Sequence, residues 1–233
     1  MAVDGLLRGP ILYLVADHAF AGTDQGWLRS IERVAAAVDT SAGPETTILF
    51  QLRVKDAGAG ARTGLVARGL DAARPAGVPV LLNGDEDEAR ELGFAGVHWP
   101  EAAIPNPDGA PSTPTPRRDG NRTEPTVDGF LRIAAVHSVP AARTATEAGA
   151  DAVVFGPVFA PGSKPGDGVG LAALSRIVRR TTVPVIAIGG IRAANVRECS
   201  SSGAAGAAVV SAVFADGIDP RETIDRLCAE MQP

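Results

Sequence analysis

Short apolar runs alternate along this chain with longer segments of helical spacing, almost from end to end. Ile11–Ala16 is an apolar run of strand length. It is followed by Trp27–Val38, where apolar residues stand at 27, 28, 31, 34, 35 and 38, the spacing of a helix with one buried face. The same reading predicts strands at Thr47–Leu52, Val80–Leu82, Ala95–Val97, Phe130–Val136, Ala152–Phe155, Val183–Ile188 and Ala207–Val210. Helices are predicted at Thr63–Ala73, Glu86–Leu92, Pro140–Ala148, Leu171–Arg180, Ala193–Ser202 and Pro220–Met231. Eight strand–helix alternations argue for one α/β domain whose parallel sheet closes into a (β/α)8 TIM barrel. An open doubly wound sheet is the competitor, weakened because no GxGxxG follows the first strand.

The alternation breaks once. Residues 100–129 hold seven prolines and almost no large apolar side chains. This predicts a mobile Pro-rich insertion after the fourth strand, in place of most or all of the fourth helix.

Bulk properties narrow the classes. A chain of 233 residues, 45% hydrophobic, suits one domain of this kind, slightly below the roughly 250 residues typical of the barrel. The net charge of −5, with both signs dispersed, gives no support for nucleic-acid binding. No apolar run approaches the ~20 residues of a membrane span, and the N-terminus lacks the design of a signal peptide. Cys199 and Cys228 are too few for a disulfide framework or a zinc site; free thiols and a cytoplasmic location are expected.

In such a barrel, chemistry is carried at the carboxyl ends of the strands. Those ends carry His18, Arg53 with Lys55, Asn83, His98, His137, Lys164, Gly189-Gly190 and Ser211. All three histidines of the chain are in that set. Arg53 and Lys55 are two apart on a strand and so share a face, which suits an anion better than packing. Lys164 lies in a Gly/Pro-rich loop after the sixth strand, where a cation could close over a ligand. Gly189-Gly190 and Ser211 follow the seventh and eighth strands, where barrels commonly bind phosphate on exposed backbone N–H groups. The plainer reading of the glycine pair is a tight turn. No Ser-His-Asp arrangement and no HxH or HExxH spacing is present, so no metal site is expected.

LYLVAD, QLRVK, LLNG, GVH, VHS, GADAVVFGPVFAPGSKPG and PVIAIGGI occur in the order and spacing of the thiamine phosphate synthase family and its sister branch, the TenI-type thiazole tautomerases. The chain resembles that superfamily except over its first ten residues and the 100–129 insertion. The resemblance implies a barrel that handles the thiazole phosphate half of thiamine, in a family where homodimers are common. Synthases of this family join a pyrimidine diphosphate to the thiazole phosphate and hold Mg²⁺ with two aspartates. Here the matching positions are Gly84 and Ala103, with Asp85 and Glu101 nearby but out of register, and a serine of the motif is replaced by Ala135.

The tautomerase branch needs no metal and no other cofactor. It moves a proton within a carboxylated thiazole phosphate to give the aromatic ring. The resemblance therefore implies a tautomerase, with His137 as the acid/base. Arg53, Lys55, Asn83, His98, Lys164, Gly189, Gly190 and Ser211 would hold the substrate. The alternatives are a synthase variant using Mg²⁺ and a non-catalytic protein that binds thiamine precursors.

Overall fold

The computed structural model describes residues 6–38, 46–55, 59–105, 129–160 and 167–232. Eight parallel strands close in sequence order into a barrel, the first pairing with the last. They are β1 (Ile11–Asp17), β2 (Thr47–Arg53), β3 (Val80–Asn83), β4 (Gly96–Trp99), β5 (Leu131–Val136), β6 (Ala152–Phe155), β7 (Val185–Ile188) and β8 (Gly206–Val209). Outside them run α1 (Asp24–Ala37), α2 (Ala59–Ala73), α3 (Glu86–Glu91), α4 (Val139–Glu147), α5 (Gly170–Val178), α6 (Val196–Ser201) and α7 (Pro220–Met231). Among the described residues no helix of this kind separates β4 from β5.

Two apolar clusters show how the pattern was spent. Ile11, Tyr13 and Val15 of β1 join Leu49, Leu81, Leu131, Ile133, Val154, Ile186 and Ala208 inside the barrel. Leu12, Leu14 and Ala16, with Trp27, Ile31 and Val34 of α1, belong to the layer between strands and helices. Side chains alternate along a strand, so this phase fixes which polar residues face the axis. Counting by twos from the inner residues reaches Asp17 on β1, Gln51 and Arg53 on β2 with Lys55 just beyond it, Asn83 on β3, His98 on β4 and His137 beyond β5. The sheet register thus turns strand-end residues far apart in sequence into one rim.

The structure departs from the expected elements in several places, three of which bear on the site. The stretch 100–129 was expected to be loop from its first residue, yet Pro100 leads into a 3₁₀ turn, Glu101–Ala103. Glu101 is tied to the end of β5, which gives that turn a packing partner. The remainder of the insertion, 106–128, lies outside the described residues, as does Lys164. The helix after β7 starts at Val196 rather than Ala193, because Asn195 first closes a turn by accepting from the Arg192 N–H at 2.9 Å. Finally, His18 opens a one-turn helix, His18–Ala21. Its Nε2 lies 2.8 Å from Asp24 Oδ1 and its ring meets Trp27 edge-on, so it braces the start of α1.

Cys199 is buried and Cys228 half-buried, both unbridged. Burial first, then the nearby Glu198 charge, pushes the Cys199 thiol up to about 11, which suits an inert packing residue. No helix among the described residues is long and apolar enough to cross a membrane.

One buried polar cluster supports the barrel wall. Arg132 of β5 donates from Nε and Nη2 to the two oxygens of Glu86 at 2.9 and 2.6 Å, and the Arg90 guanidinium lies 3.9 Å over the Phe130 ring. Burial by itself would raise the Glu86 carboxyl, but hydrogen bonds and charge from Arg132 and Arg90 bring it below its ordinary 4.5. A carboxyl depressed in the folded state stabilises fully above its unfolded value and loses that contribution as pH falls through its folded one. Urea midpoints of the wild type should therefore fall as pH drops below about 4.5, and Glu86→Gln should flatten part of that slope. Arg132→Met, which leaves the carboxylate only its Arg90 partner, should cost roughly 2 kcal/mol, less than for a fully buried pair because Glu86 is partly exposed.

Candidate active site

The rim at the carboxyl ends of the strands collects the polar residues into two groups. In the first, β1 and β2 end side by side, with Asp17 paired to Arg53 in register. Asp17 accepts from Arg53 Nη1 and also from the Ala19 N–H, so the same carboxylate aims the guanidinium and caps the following turn. Arg53 is held in place before any ligand arrives. Lys55 stands two residues further on, exposed at the rim.

Below them lies His98, buried, with only 5% exposure. Tyr13 Oη is 3.4 Å from His98 Nδ1, and Gln51 Nε2 donates to Tyr13 Oη at 3.1 Å. Burial, then the charges of Arg53 and Lys55, holds the His98 imidazole down at about 3. Burial likewise pushes the Tyr13 hydroxyl far above its ordinary range. Over neutral pH this ladder is uncharged and keeps its protons. His98 can orient or hydrogen-bond a ligand, but it is not poised to shuttle a proton. Both cations thus act electrostatically on the His98 imidazole. Asn83 is buried beside them, its Nδ2 donating to the His98 carbonyl at 3.4 Å.

The second group centres on His137, just past β5. It is exposed, its side chain 63% accessible. Its Nδ1 lies 2.8 Å from Glu101 Oε2, and its backbone N–H donates to the same oxygen at 2.6 Å. Ser138 then caps α4 by accepting from the Ala141 N–H. The imidazole is thus an accessible titratable group at the rim with a carboxylate behind it.

The glycine pair has a packing reason of its own. Gly189 and Gly190 have φ of +100° and +64°. A Cβ on Gly189 would lie 2.5 Å from the Cα of Pro157, and one on Gly190 2.6 Å from the Ala160 carbonyl oxygen. The Phe159 N–H donates to the Gly189 carbonyl, which zips the loop after β6 onto the loop after β7. Because α6 begins only at Val196, its N-terminus does not adjoin the pair, and no helix dipole aids an anion there. Ser211 is exposed and opens the one-turn helix Ser211–Phe214 after β8. A short extra helix at that point is a common part of barrel phosphate sites.

The described carboxylates nearest Gly84 and Ala103 are already engaged. Among the described residues no three His, Cys, Asp or Glu side chains are grouped as ligands. Of the two nearby carboxylates, Asp85 caps α3 by accepting from the Glu88 N–H, and Glu101 holds His137. The Arg62 guanidinium stands beside Gly84: a Cβ there would lie 2.6 Å from Arg62 Nη2. That guanidinium donates to the Asn83 carbonyl at 3.0 Å, to the Val54 carbonyl at 3.2 Å and to Glu88. Arg62 and Glu88 escaped sequence reading because both lie on helices, away from any strand end. Glu101 was legible only as a stand-in metal ligand; its pairing with His137 was not, because that partner is 36 residues away.

Comparison with known proteins agrees with the architecture. The family model described as thiamine monophosphate synthase matches residues 133–213, from β5 to the turn after β8. A thiamine-phosphate synthase of Methanoculleus marisnigri is 42% identical over 144 residues, 61% of this chain. That match spans 62% of the relative, less than two thirds of its length. A thiamine-phosphate synthase of Roseiflexus castenholzii is 35% identical over 223 residues, covering 94% of this chain and 86% of its own. Among solved structures, thiamine phosphate pyrophosphorylase from Pyrococcus furiosus superposes with a TM-score of 0.67 at 23% identity, covering 97% of this chain and 96% of that one; at this identity the likeness speaks for the fold alone.

Proposed function

Because the chain belongs to the thiamine phosphate synthase/TenI family, we propose that it binds a thiazole phosphate in thiamine biosynthesis and relocates one proton on it, as a thiazole tautomerase. The observation that carries this reading is the chemistry of the rim. An accessible imidazole stands there, while the positions matching the synthases' two aspartates are Gly84 and Ala103, with the Arg62 guanidinium beside Gly84. Expelling a diphosphate needs its charge neutralised, whereas a proton shift conserves charge and needs only a group that both takes and gives a proton.

In the proposed reaction a proton leaves a ring carbon to His137. The freed electron pair enters the ring system, and the same imidazole returns a proton to a second carbon. Composition is unchanged and the product is aromatic. Arg53, held by Asp17, and Lys55 face the substrate's carboxylate and phosphate. The neutral His98 beneath them supplies a hydrogen bond without competing for the proton. Ser211 and the backbone after β7 and β8 bind phosphate.

The second reading is condensation to thiamine phosphate. The relatives' names back it better than they back the tautomerisation. One experiment separates the two: purified protein is given the thiazole tautomer, and separately the two phosphorylated halves of thiamine, each with Mg²⁺ and with chelator. The aromatic product is expected to appear at the same rate with or without chelator, and no thiamine phosphate is expected. Thiamine phosphate formed with Mg²⁺ and lost with chelator would overturn the proposal. Tight binding of thiazole phosphate with neither product would leave a binding protein.

A further inference from the structure

The exposed pair at the end of β5 has a role of its own. We propose that Glu101 is a positioning residue that locks the His137 imidazole in one tautomer, with the proton on Nδ1 and the Nε2 lone pair turned to the ligand. The inference deepens the proton-transfer reading above and rests on it for its catalytic consequence, though the tautomer itself does not.

The geometry argues it directly. A carboxylate accepts hydrogen bonds and donates none, so a ring nitrogen 2.8 Å from Glu101 Oε2 must carry the hydrogen. The same oxygen accepts the His137 backbone N–H at 2.6 Å, which fixes the carboxylate against the main chain. Glu101 is itself held short: it opens a 3₁₀ turn in which the Ala103 N–H donates to the Pro100 carbonyl and the Ile104 N–H to the Glu101 carbonyl. Immediately beyond, Ser138 starts α4, so the imidazole sits between two anchored points.

Two consequences follow. A base that must be ready at Nε2 is wasted whenever the proton sits there, and Glu101 prevents that. When His137 carries the transferred proton, an opposite charge already stands against the far side of the ring. An outer partner that orients a functional imidazole is commonly worth 10–100-fold.

The test uses ¹⁵N-histidine-labelled full-length protein at about pH 8.5, above the ordinary imidazole range. The His137 ring signals are assigned by their loss in His137→Ala. Wild type is expected to show the Nδ1–H tautomer. Glu101→Leu should shift His137 toward the Nε2–H form, and should lower kcat for the tautomerisation about 10–100-fold with little change in KM. Glu101→Gln keeps an acceptor within reach and should retain the Nδ1–H tautomer with a smaller loss, which also covers the case that Glu101→Leu fails to fold. A wild-type ring with its proton on Nε2, or a tautomer unmoved in folded Glu101→Leu, overturns the inference whatever the activity. A tautomer that shifts as expected while turnover stays unchanged upholds the lock and instead sinks the acid/base role of His137.

Discussion

His137→Ala is expected to slow conversion of the thiazole tautomer about 10²–10⁴-fold, the range general acid–base catalysis supplies. The loss should fall on kcat, because Arg53 and Lys55, the cations proposed to hold the substrate's anionic groups, are untouched. The substitution should also leave the fold intact. The side chain is 63% accessible, and the backbone N–H to Glu101 and the Ser138 cap remain. Unfolding midpoints should therefore match the wild type, so that a kinetic defect cannot be ascribed to instability. Stopped-flow absorbance of the aromatic product measures the rate. Wild-type turnover in the alanine variant would remove His137 from the mechanism. His98→Ala offers no equivalent test, since that ring is buried in the Tyr13–Gln51 ladder and its loss would disturb the barrel interior.

Gly189→Ala is expected to cost several kcal/mol of stability. A positive φ of +100° accounts for about 1–3 kcal/mol of this, and the Cβ pressed against Pro157 for about 1–3 more. The loops after β6 and β7 would separate, and any phosphate site built on them would weaken as well. Ser211→Ala tells the two roles apart, because Ser211 is exposed and its loss should leave stability within about 0.5 kcal/mol. Inorganic phosphate titrated calorimetrically should bind roughly ten- to a hundredfold more weakly to Ser211→Ala, as for a lost hydrogen bond to a charged group. If Gly189→Ala lowers the urea midpoint yet binds phosphate as wild type does, the glycine pair serves packing alone.

The two substitutions address different kinds of residue. His137 was legible because a polar side chain directly follows an apolar run, and in a parallel barrel such a position lies on the working face. Gly189 was legible only as a pair of glycines. Whether it makes room for an anion or for another loop depends on what lies across from it, and the neighbours Pro157 and Ala160 are some thirty residues away in sequence.

The sequence by itself determined the eight strands, the order in which they alternate with helices, and the residues that stand at their carboxyl ends. These follow from local periodicity, which every segment carries without reference to the others. Only the tertiary structure decided what those residues are set against. Asp17 holds Arg53, burial with the charges of Arg53 and Lys55 keeps His98 neutral beside Tyr13, Arg62 stands beside Gly84, and Glu101 stands behind His137. Each partner arrives through closure of the barrel from a different strand or helix, and hydrogen bonding and charge act over a few ångströms of space, whatever the distance along the chain.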